Sequence, residues 1–404
     1  MKTFIKTSIK GLIVTLIASP ILMADEPVEE IVVKGKVLYA DQVSALKTPT
    51  DIVDVPQSLS IVTDEQIRKQ GIREIGDIVR YTPGVNTSQG EGHRDAVVFR
   101  GVRSTADFYQ DGARDDVQYY RSLYNVEQVE VLRGPNALLF GRGGTGGIIN
   151  RVTKKATLGE SFGSFDIGAN DNGSFDFAAD YNADSGENTA FRVNVHSDSL
   201  ENHRDFFDGD RVGFNPTVKI QMSDATTLDL SYEYADHERF IDRGIPTANG
   251  RPVEALKDVV FGTSDLNLTT LEADIFRGII TTDLSDTSKA IFSLTSSEFE
   301  KMYKNLYASG YDLTTNVVTL DGYYDPTERE NLIFSANLVN ELEIGGATHT
   351  LLIGAEIIDT DNKNVRYDTY WSTTQKDKES FNVSRPLNIA TNSSGVPTSV
   401  DYTT

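Results

Sequence analysis

The stretch Gly173-Ser-Phe-Asp-Phe-Ala-Ala-Asp-Tyr181 alternates apolar with polar side chains. Successive side chains of a strand point to opposite faces, so the aromatic residues lie on one face and the aspartates on the other. The same period of two recurs at 191–196 and 228–234. Further strands fit the ranges 162–169, 211–222, 271–283, 288–298, 329–343 and 347–359. The sequence after residue 160 therefore predicts about nine strands, each with one apolar and one polar face.

The connections between these strands are of two lengths. Brief turns are expected near 183–188, 223–225, 285–287 and 345–347. Longer loops are expected at 199–210, 236–270, 299–328 and beyond 360. Alternation of short turns with long loops is typical of outer-membrane β-barrels, which have short periplasmic turns and long external loops. A secreted β-sandwich or β-helix is the alternative, because its strands alternate as well.

Composition excludes several classes of function. The chain has 404 residues, with 38 Lys and Arg against 60 Asp and Glu, a formal net charge of −22. Binding to nucleic acid needs clustered cations, so DNA and RNA are excluded as main partners. The chain contains no Cys and only five His, and those have no paired ligand spacing. Zinc, iron–sulfur and thiol chemistry therefore have no candidate residues.

The first residues predict export. Lys2, Lys6 and Lys10 precede an apolar run over 11–23, which is too short to span a bilayer and is typical of a signal peptide. Cleavage is expected after Ala24, so residues 1–24 form the signal peptide. The alternative is a buried N-terminal helix. After Met23 no run of 18 apolar residues follows, so a further membrane segment would have to be a β-strand.

Two local patterns lie between residues 56 and 158. Thr63-Asp-Glu-Gln66 is a capping-box pattern that predicts a helix, with Pro83-Gly84 as the stop. Gly141, Gly143 and Gly146 form a formal GxGxxG. A dinucleotide site requires a helix after the glycines, but Ile148-Ile-Asn-Arg-Val152 predicts a strand. The glycines are interpreted as tight turns, and an NAD-dependent enzyme is the alternative, to be tested by nucleotide binding.

Several motifs together resemble one family. They are Val55-Pro-Gln-Ser-Leu-Ser-Ile-Val62, Asp77-Ile-Val-Arg-Tyr-Thr-Pro-Gly-Val85, Phe99-Arg-Gly101, Asp111-Gly112 and Val126-Glu-Gln-Val-Glu-Val-Leu-Arg-Gly-Pro135, followed by 141–150. In this order they resemble the plug of TonB-dependent siderophore receptors. The stretch His349-Thr-Leu-Leu-Ile-Gly-Ala-Glu356 resembles a barrel strand of the same family. Asp111-Gly-Ala-Arg-Asp115 with Tyr119, Tyr120 and Arg121 resembles the ferric-catecholate branch.

The resemblance implies an N-terminal α+β plug domain followed by a transmembrane antiparallel β-barrel. The expected domains are a TonB box and linker at 25–55, the plug at 56–158 and a partial barrel at 159–404. Plugged barrels of this kind have about 22 strands, so about nine strands make the barrel incomplete. We therefore expect the chain to be the N-terminal portion of a longer protein. If the coding region ends at Thr404, a non-functional receptor fragment is the alternative.

The resemblance also implies a function. An energy-coupled receptor of the outer membrane would import iron–siderophore complexes of the catecholate type. It would be no enzyme and would hold no resident cofactor or metal, because iron would be present only as cargo. Its partners would be a TonB-type periplasmic protein, the ferric siderophore and outer-membrane lipids. The expected TonB box comprises Glu30, Ile31, Val32, Val33 and Lys34, which would pair edge to edge with the coupling protein. A secreted β-rich binding protein or adhesin is the alternative function.

Ligand contacts are expected from loops of the plug. A ferric catecholate is anionic and aromatic, so arginine forks and aromatic rings suit it. The candidates are His93, Arg94, Arg103, Arg114, Tyr119, Tyr120 and Arg121. Arg239, Arg243, Tyr303 and Tyr307 in the expected long loops are additional candidates.

Overall fold

The computed structural model describes residues 43–48, 52, 55–134, 140, 144 and 146–384, together with the backbone of 387–391 and 397–402. The expected signal peptide and the expected TonB box lie outside these described residues. In the described part of the chain, no helix is both long and apolar enough to cross a membrane.

An N-terminal domain of two small sheets and short helices comes first. Its strands are β1 (Ser58–Thr63), β2 (Val85–Thr87), β3 (Val97–Phe99), β4 (Val102–Ser104), β5 (Phe108–Gln110), β6 (Ala113–Arg114), β7 (Val126–Arg133) and β8 (Gly147–Thr153). The first sheet has the order β1-β7-β8-β5-β6, and only its β5–β8 pair is parallel. The second sheet has the order β2-β3-β4. This mixture of helices and strands is the expected α+β domain.

The two helices of this domain pack against different sheets, the first against β1 and β7 and the second against β2. Helix α1 (Asp64–Gln70) starts at a capping box, in which the Thr63 hydroxyl accepts from the Gln66 backbone N–H and the Gln66 side chain accepts from the Thr63 N–H. The predicted capping box is therefore confirmed. Gly71 ends α1 in a left-handed conformation (φ 61°), so the predicted helical stretch divides into α1 and α2 (Ile75–Arg80).

The core of this domain is apolar. Buried side chains from both helices meet those of the sheets there: Ile67, Ile72, Ile75, Ile78, Val79, Val97, Phe99, Phe108, Leu123, Val126, Val129, Val131 and Ile149. Strand β8 begins directly after Gly146, as predicted from the β-branched run. No helix follows the glycines at this point, which removes the structural basis for a dinucleotide site.

A large antiparallel sheet follows. Its nine long strands are β9 (Phe162–Ala169), β10 (Phe175–Asp184), β11 (Thr189–Glu201), β12 (Asp208–Ser223), β13 (Thr226–Phe240), β16 (Leu268–Ser285), β17 (Ser288–Asp312), β18 (Val317–Ile344) and β19 (Ala347–Asn364). They pair in the order β19-β18-β17-β16-β13-β12-β11-β10-β9. Every range predicted as a strand lies within or largely overlaps one of these strands. The sheet does not close within the described residues, since β9 and β19 are not paired with each other.

Shorter elements complete the described chain. They are strands β14 (Thr247–Ala248), β15 (Arg251–Pro252), β20 (Tyr367–Asp368), β21 (Glu379–Asn382), β22 (Leu387–Thr391) and β23 (Pro397–Tyr402), and the 3₁₀ turns Ser44–Leu46, Gly90–Gly92 and Glu254–Leu256. Strands β20 and β21 both pair with β18. Thus the segment after β19 folds back onto β18.

The connections agree with the sequence at the turns but not at one loop. The four predicted brief turns all connect neighbouring strands. The predicted loop 299–328 is wrong, because β17 and β18 continue through it and leave only 313–316 between them. These strands have 25 and 28 residues, whereas about 9–11 residues cross a bilayer. The part of a paired strand that extends beyond the membrane needs no apolar face, so its polar sequence looks like that of a loop.

The two faces of the large sheet have opposite polarity. Phe165, Ile167 and Tyr181 on the apolar face are 71%, 62% and 56% exposed. Asn194 and Arg211 on the polar face are buried, at 0% and 2%. A soluble sandwich buries its apolar faces instead. An outward apolar face with a polar interior is the arrangement of a membrane barrel wall.

The interior of the sheet contacts the N-terminal domain through ion pairs. Arg277 on β16 donates to the Asp111 carboxylate at 2.8 Å. Arg329 on β18 donates to the Asp116 carboxylate at 2.6 Å. These contacts join residues far apart in the sequence, and they fix the N-terminal domain against the polar face.

Candidate functional site

The loop over 89–94 contains an unusual run of backbone conformations. Gly90, Glu91 and Gly92 all have positive φ angles, of 62°, 58° and 78°. A Cβ on Gly92 would lie 2.9 Å from the Ile241 side chain and 3.0 Å from the Asp242 carbonyl oxygen. Glycine is therefore required there, because the loop lies directly against the segment that follows β13.

This loop packs His93 against an aromatic cluster of the β17–β18 hairpin, and Arg94 bonds to His93 and to the Gln118 side chain. The His93 ring stacks on Tyr303, with centroids 3.6 Å apart and an interplanar angle of 20°. The Tyr303 ring meets Tyr323 edge-on at 5.4 Å, and their hydroxyls are 3.3 Å apart. Tyr307 meets Tyr323 edge-on at 6.3 Å. Four aromatic rings thus lie together where the hairpin meets the loop.

Arg243 joins the cluster from the connection after β13. Its Nη1 donates to the Tyr303 hydroxyl at 3.1 Å, the Asn305 Oδ1 at 2.8 Å and the Tyr323 hydroxyl at 3.4 Å. Its guanidinium carbon lies 4.1 Å from the centre of the Tyr307 ring. We call Glu91, His93, Arg94, Arg243, Tyr303, Tyr307 and Tyr323 together the arginine–tyrosine site.

Glu91 supplies the negative charge within this site. Its Oε2 lies 3.1 Å from the Arg94 Nη2 and accepts from the Tyr323 hydroxyl at 3.0 Å. The neighbouring His93 ring and the charges of Arg94 and Arg243 hold the pKa of the Glu91 carboxyl well below its usual range. The carboxylate is therefore ionised at neutral pH.

His93 is neutral at the same pH. Its side chain is buried, and burial lowers its pKa from 6.5 to about 3. Its Nε2 is 3.0 Å from the Arg94 Nη1, so it accepts that hydrogen bond. The His93 Nδ1 and the Arg94 Nε are buried and have no hydrogen-bond partner among the described residues. The site therefore holds two buried donors without a partner among the described residues, beside stacked rings and two guanidinium groups, and this combination of charge and flat rings suits an anionic aromatic ligand.

Arg121 lies in a different setting from Arg94. It is 0% exposed, and its five hydrogen bonds reach the Asp115 and Asp95 carboxylates and the carbonyl oxygens of residues 115, 117 and 119. Its guanidinium also stacks on Phe108 at 4.0 Å and on Tyr119 at 4.5 Å. Since a guanidinium has five N–H donors, none is left for a ligand.

The remaining predicted residues divide by exposure. Tyr119 is buried and its hydroxyl donates to Asp115, so it belongs with Arg121. Arg114 is largely buried and bonds to Asp116, Tyr109 and the Ala106 carbonyl oxygen. The Tyr120 hydroxyl donates to the Gln89 carbonyl oxygen, and Arg239 lies over its ring at 4.2 Å. Arg103 on β4 is exposed. The structure thus brings only His93 and Arg94 of the seven into the arginine–tyrosine site.

Sequence reasoning missed two members of this site. Tyr323 was not predicted because it lies in the part of β18 whose polar sequence looks like that of a loop. Glu91 lies within Gly90-Glu-Gly-His-Arg94 beside two candidates, but no sequence pattern gives it a role. Pairing of Asn305 with Tyr323 and of Tyr303 with Asp325 in the β17–β18 ladder places the tyrosines together. A period-two reading carried through 299–328 would have found Tyr323.

A separate cavity of about 270 Å³ lies between α1 and strands β9–β12. Two of its carboxylates are already matched with cations: Asp198 pairs with Arg211 at 2.5 Å, and Asp180 pairs with Lys154 at 3.3 Å. None of the seven predicted ligand residues lines it. We assign it no ligand.

Comparison with known proteins agrees with the geometry. Residues 51–148 match the family model described as the TonB-dependent Receptor Plug Domain. The chain is 30% identical over 248 residues to the probable TonB-dependent receptor BfrD of Bordetella pertussis, which covers 60% of this chain and 32% of that protein. It is 30% identical over 227 residues to the catecholate siderophore receptor Fiu of Escherichia coli K12, covering 52% of this chain and 28% of that one.

The siderophore receptor PiuA of Acinetobacter baumannii is similar in both sequence and structure. Its sequence is 27% identical over 335 residues, covering 79% of this chain and 45% of that protein. Its crystal structure matches with a TM-score of 0.75 at 25% identity, covering 81% of this chain and 48% of that chain. This chain spans less than half the length of each of these curated relatives.

These matches agree with the packing of the N-terminal domain against the polar face of the large sheet. They are matches to receptors, and none of the relatives named above is an enzyme. Residues 51–148 match the plug domain of TonB-dependent receptors, and in sequence and fold this chain is similar to a plug followed by part of the barrel wall of a TonB-dependent siderophore receptor.

Proposed function

We propose that this protein is an energy-coupled outer-membrane receptor that imports an anionic ferric siderophore of the catecholate type. The observation that supports this most is the arginine–tyrosine site, where Arg243 lies among Tyr303, Tyr307 and Tyr323 and Arg94 joins them through Glu91 and His93. Guanidinium groups supply charge to a ferric tricatecholate, and the rings supply flat apolar surface to its catechols. Iron is cargo in this proposal and not a resident cofactor.

Of the seven residues predicted from the sequence, we propose His93 and Arg94 as direct ligand contacts. Arg243, Tyr303, Tyr307 and Tyr323 are added by their position in the same site. Arg103 and Tyr120 are proposed as outer contacts that a large ligand could reach. Arg114, Tyr119 and Arg121 are proposed to support the loop from beneath, because their polar groups already bond to the plug.

Coupling is proposed to run through the segment 30–34, with Glu30 and Lys34 at its ends and Ile31, Val32 and Val33 between them. A β-branched segment of this kind can add as a strand to a periplasmic TonB-type protein, held by backbone hydrogen bonds. Export by the segment 1–24 and insertion among outer-membrane lipids through the apolar face of the large sheet complete the proposal.

The test is uptake and binding of radioiron held by a tripodal tricatecholate in cells that express the protein. We expect Ile31→Pro to abolish uptake but leave binding nearly unchanged, because proline removes a backbone donor needed for strand addition. Ile31→Val is the matched control and should transport normally. If Ile31→Pro reduced binding and uptake equally, the coupling role of 30–34 would be rejected.

A further inference from the structure

The arginine–tyrosine site already contains an anion. The Glu91 carboxylate lies 3.1 Å from the Arg94 Nη2, accepts from the Tyr323 hydroxyl at 3.0 Å, and its Oε2 is 3.9 Å from the His93 Nε2. Of these groups, the Arg94 guanidinium and the Tyr323 hydroxyl are donors that would contact an entering anionic ligand. Because the carboxylate is ionised, a ligand of the same charge must either displace it or bind against its repulsion.

The backbone conformation of Glu91 is strained. A residue other than glycine at φ 58° pays a steric cost, since its Cβ crowds the following carbonyl. Gly90 and Gly92 on either side also have positive φ. The turn holds Glu91 in this conformation while its carboxylate bonds to Arg94 and Tyr323, and its carbonyl oxygen accepts from the Tyr303 hydroxyl at 3.4 Å.

The Glu91 side chain is only partly buried. Its exposed fraction is 29%, against 13% for Arg94 and 2% for His93. A carboxylate with an open side can leave its partners without crossing the packed interior. By contrast, Asp95 and Asp115 beneath the loop are buried around Arg121 and have no such route.

We propose that Glu91 is a built-in competitor for the anionic ligand, occupying the cation site when it is empty and setting the charge selectivity of the site. This inference rests on the proposed function. When a ferric tricatecholate binds, its oxygen atoms take over the Arg94 and Tyr323 donors, and Glu91 turns out toward solvent. A cationic iron complex gains nothing from that exchange.

The experiment measures binding of two radioiron complexes to outer-membrane vesicles that carry the protein. One is the trianionic iron(III) complex of a tripodal tricatecholate, and the other is the cationic ferrioxamine B. The variants are Glu91→Gln, which keeps the shape without the charge, and the pair Glu91→Asn and Glu91→Asp. Both members of this pair tolerate positive φ and differ only in charge. Glu127→Gln on β7 controls for the loss of one negative charge elsewhere.

We expect Glu91→Gln and Glu91→Asn to bind the anionic complex about tenfold more tightly than the wild-type protein, which is the lower end for one charge-assisted contact. Glu91→Asp and Glu127→Gln should stay within about twofold of wild type, and binding of ferrioxamine B should not increase in any variant. The Asn and Asp pair keeps the test decisive even if Glu91→Gln folds poorly.

Three results would overturn the inference. Unchanged or weaker binding of the anionic complex by both neutral variants would make Glu91 a support of the loop. Equal tightening for both complexes would point to easier access and not to charge. If the wild-type protein and all variants bound neither complex, the proposed function would fail, and this inference with it.

Discussion

Two arginine clusters in the plug differ in how fully their donors are used. Around Arg121, every guanidinium N–H meets an oxygen of the plug itself, and the side chain is fully buried. Around Arg94, the Nε has no partner among the described residues, and the neighbouring carboxylate of Glu91 is partly exposed. Both arginines come from motifs that looked equally suited to an anion. Their hydrogen bonds, and not their residue type, separate a structural cluster from a candidate binding site.

Burial and the arginine charges together set the pKa values of the carboxyl groups near Arg121. Burial raises the pKa of Asp95 to about 6 despite Arg121. Asp115 is equally buried, but the charges of Arg121 and Arg151 hold its pKa below the ordinary value. A ligand could not enter this cluster without breaking contacts that the fold requires.

The largest effect is expected from Arg121→Ala. This change leaves Asp95 buried without the cation it pairs with and leaves Asp115 with Arg151 alone, and breaking a buried ion pair costs about 3–5 kcal/mol. The plug should unfold at a lower temperature in scanning calorimetry of the detergent-solubilised protein. Exposed Arg103→Ala is the matched control and should change the free energy of unfolding by less than about 0.5 kcal/mol. If Arg121→Ala and Arg103→Ala had similar melting temperatures, the structural role assigned to the Arg121 cluster would be wrong.

Arg94→Ala should act on binding and spare the fold. Loss of one charge-assisted contact is worth about 1.5–3 kcal/mol, which weakens binding of a ferric tricatecholate about tenfold to a hundredfold. The measurement is a binding isotherm with radioiron. Arg68→Ala, which removes an arginine paired with Asp64 on α1, should bind as the wild-type protein does. Unchanged affinity in Arg94→Ala would remove Arg94 from the site.

His93 should make the plug sensitive to acid. The pKa of His93 is about 3 in the folded protein, against 6.5 for an ordinary histidine, so the unfolded chain takes up the proton first. Stability is therefore complete above pH 6.5 and falls as the pH drops from 6.5 toward 3, by about 2 kcal/mol at pH 5. Arg94 and Lys301 disfavour the charged ring, whereas Glu91 favours it.

The pH effect of His93 is measured by melting temperature between pH 7 and pH 4. His93→Gln, which cannot titrate, should show a shallower loss of stability across this range. Parallel curves for the variant and the wild-type protein would mean that His93 is not the group that titrates.

The smallest effect is expected at the helix cap. Thr63→Ala removes the hydroxyl that accepts from the Gln66 N–H, which costs about 1 kcal/mol. Thr63→Ser keeps the hydroxyl and should restore most of the loss. Urea unfolding of the plug measures both variants. The cap is a local contact, so ligand affinity should not change in either one, unlike in Arg94→Ala.

Contacts close in sequence were predicted well. The capping box needs only Thr63 and Gln66, three residues apart, and the alternation at 173–181 fixes a strand because side-chain direction repeats every two residues. The β-branched run after Gly146 likewise predicted β8. The plug motifs added the resemblance to a receptor family, since they occur in that family's order along the chain. For these features the physical information lies within a few neighbouring residues.

The tertiary structure decided what depends on distant partners. Buried Arg121 bonds to Asp95, which is 26 residues away in the sequence. In the arginine–tyrosine site, Glu91 bonds to Tyr323, which is 232 residues away. The length of the β17–β18 hairpin also required the pairing itself, because polar strands outside a membrane resemble loops. The sequence by itself determined where the membrane-crossing strands lie, the helix cap and the resemblance to a receptor family. Only long-range packing decided how far β17 and β18 extend, which arginine has all its donors bonded and which arginine has a donor without a partner among the described residues.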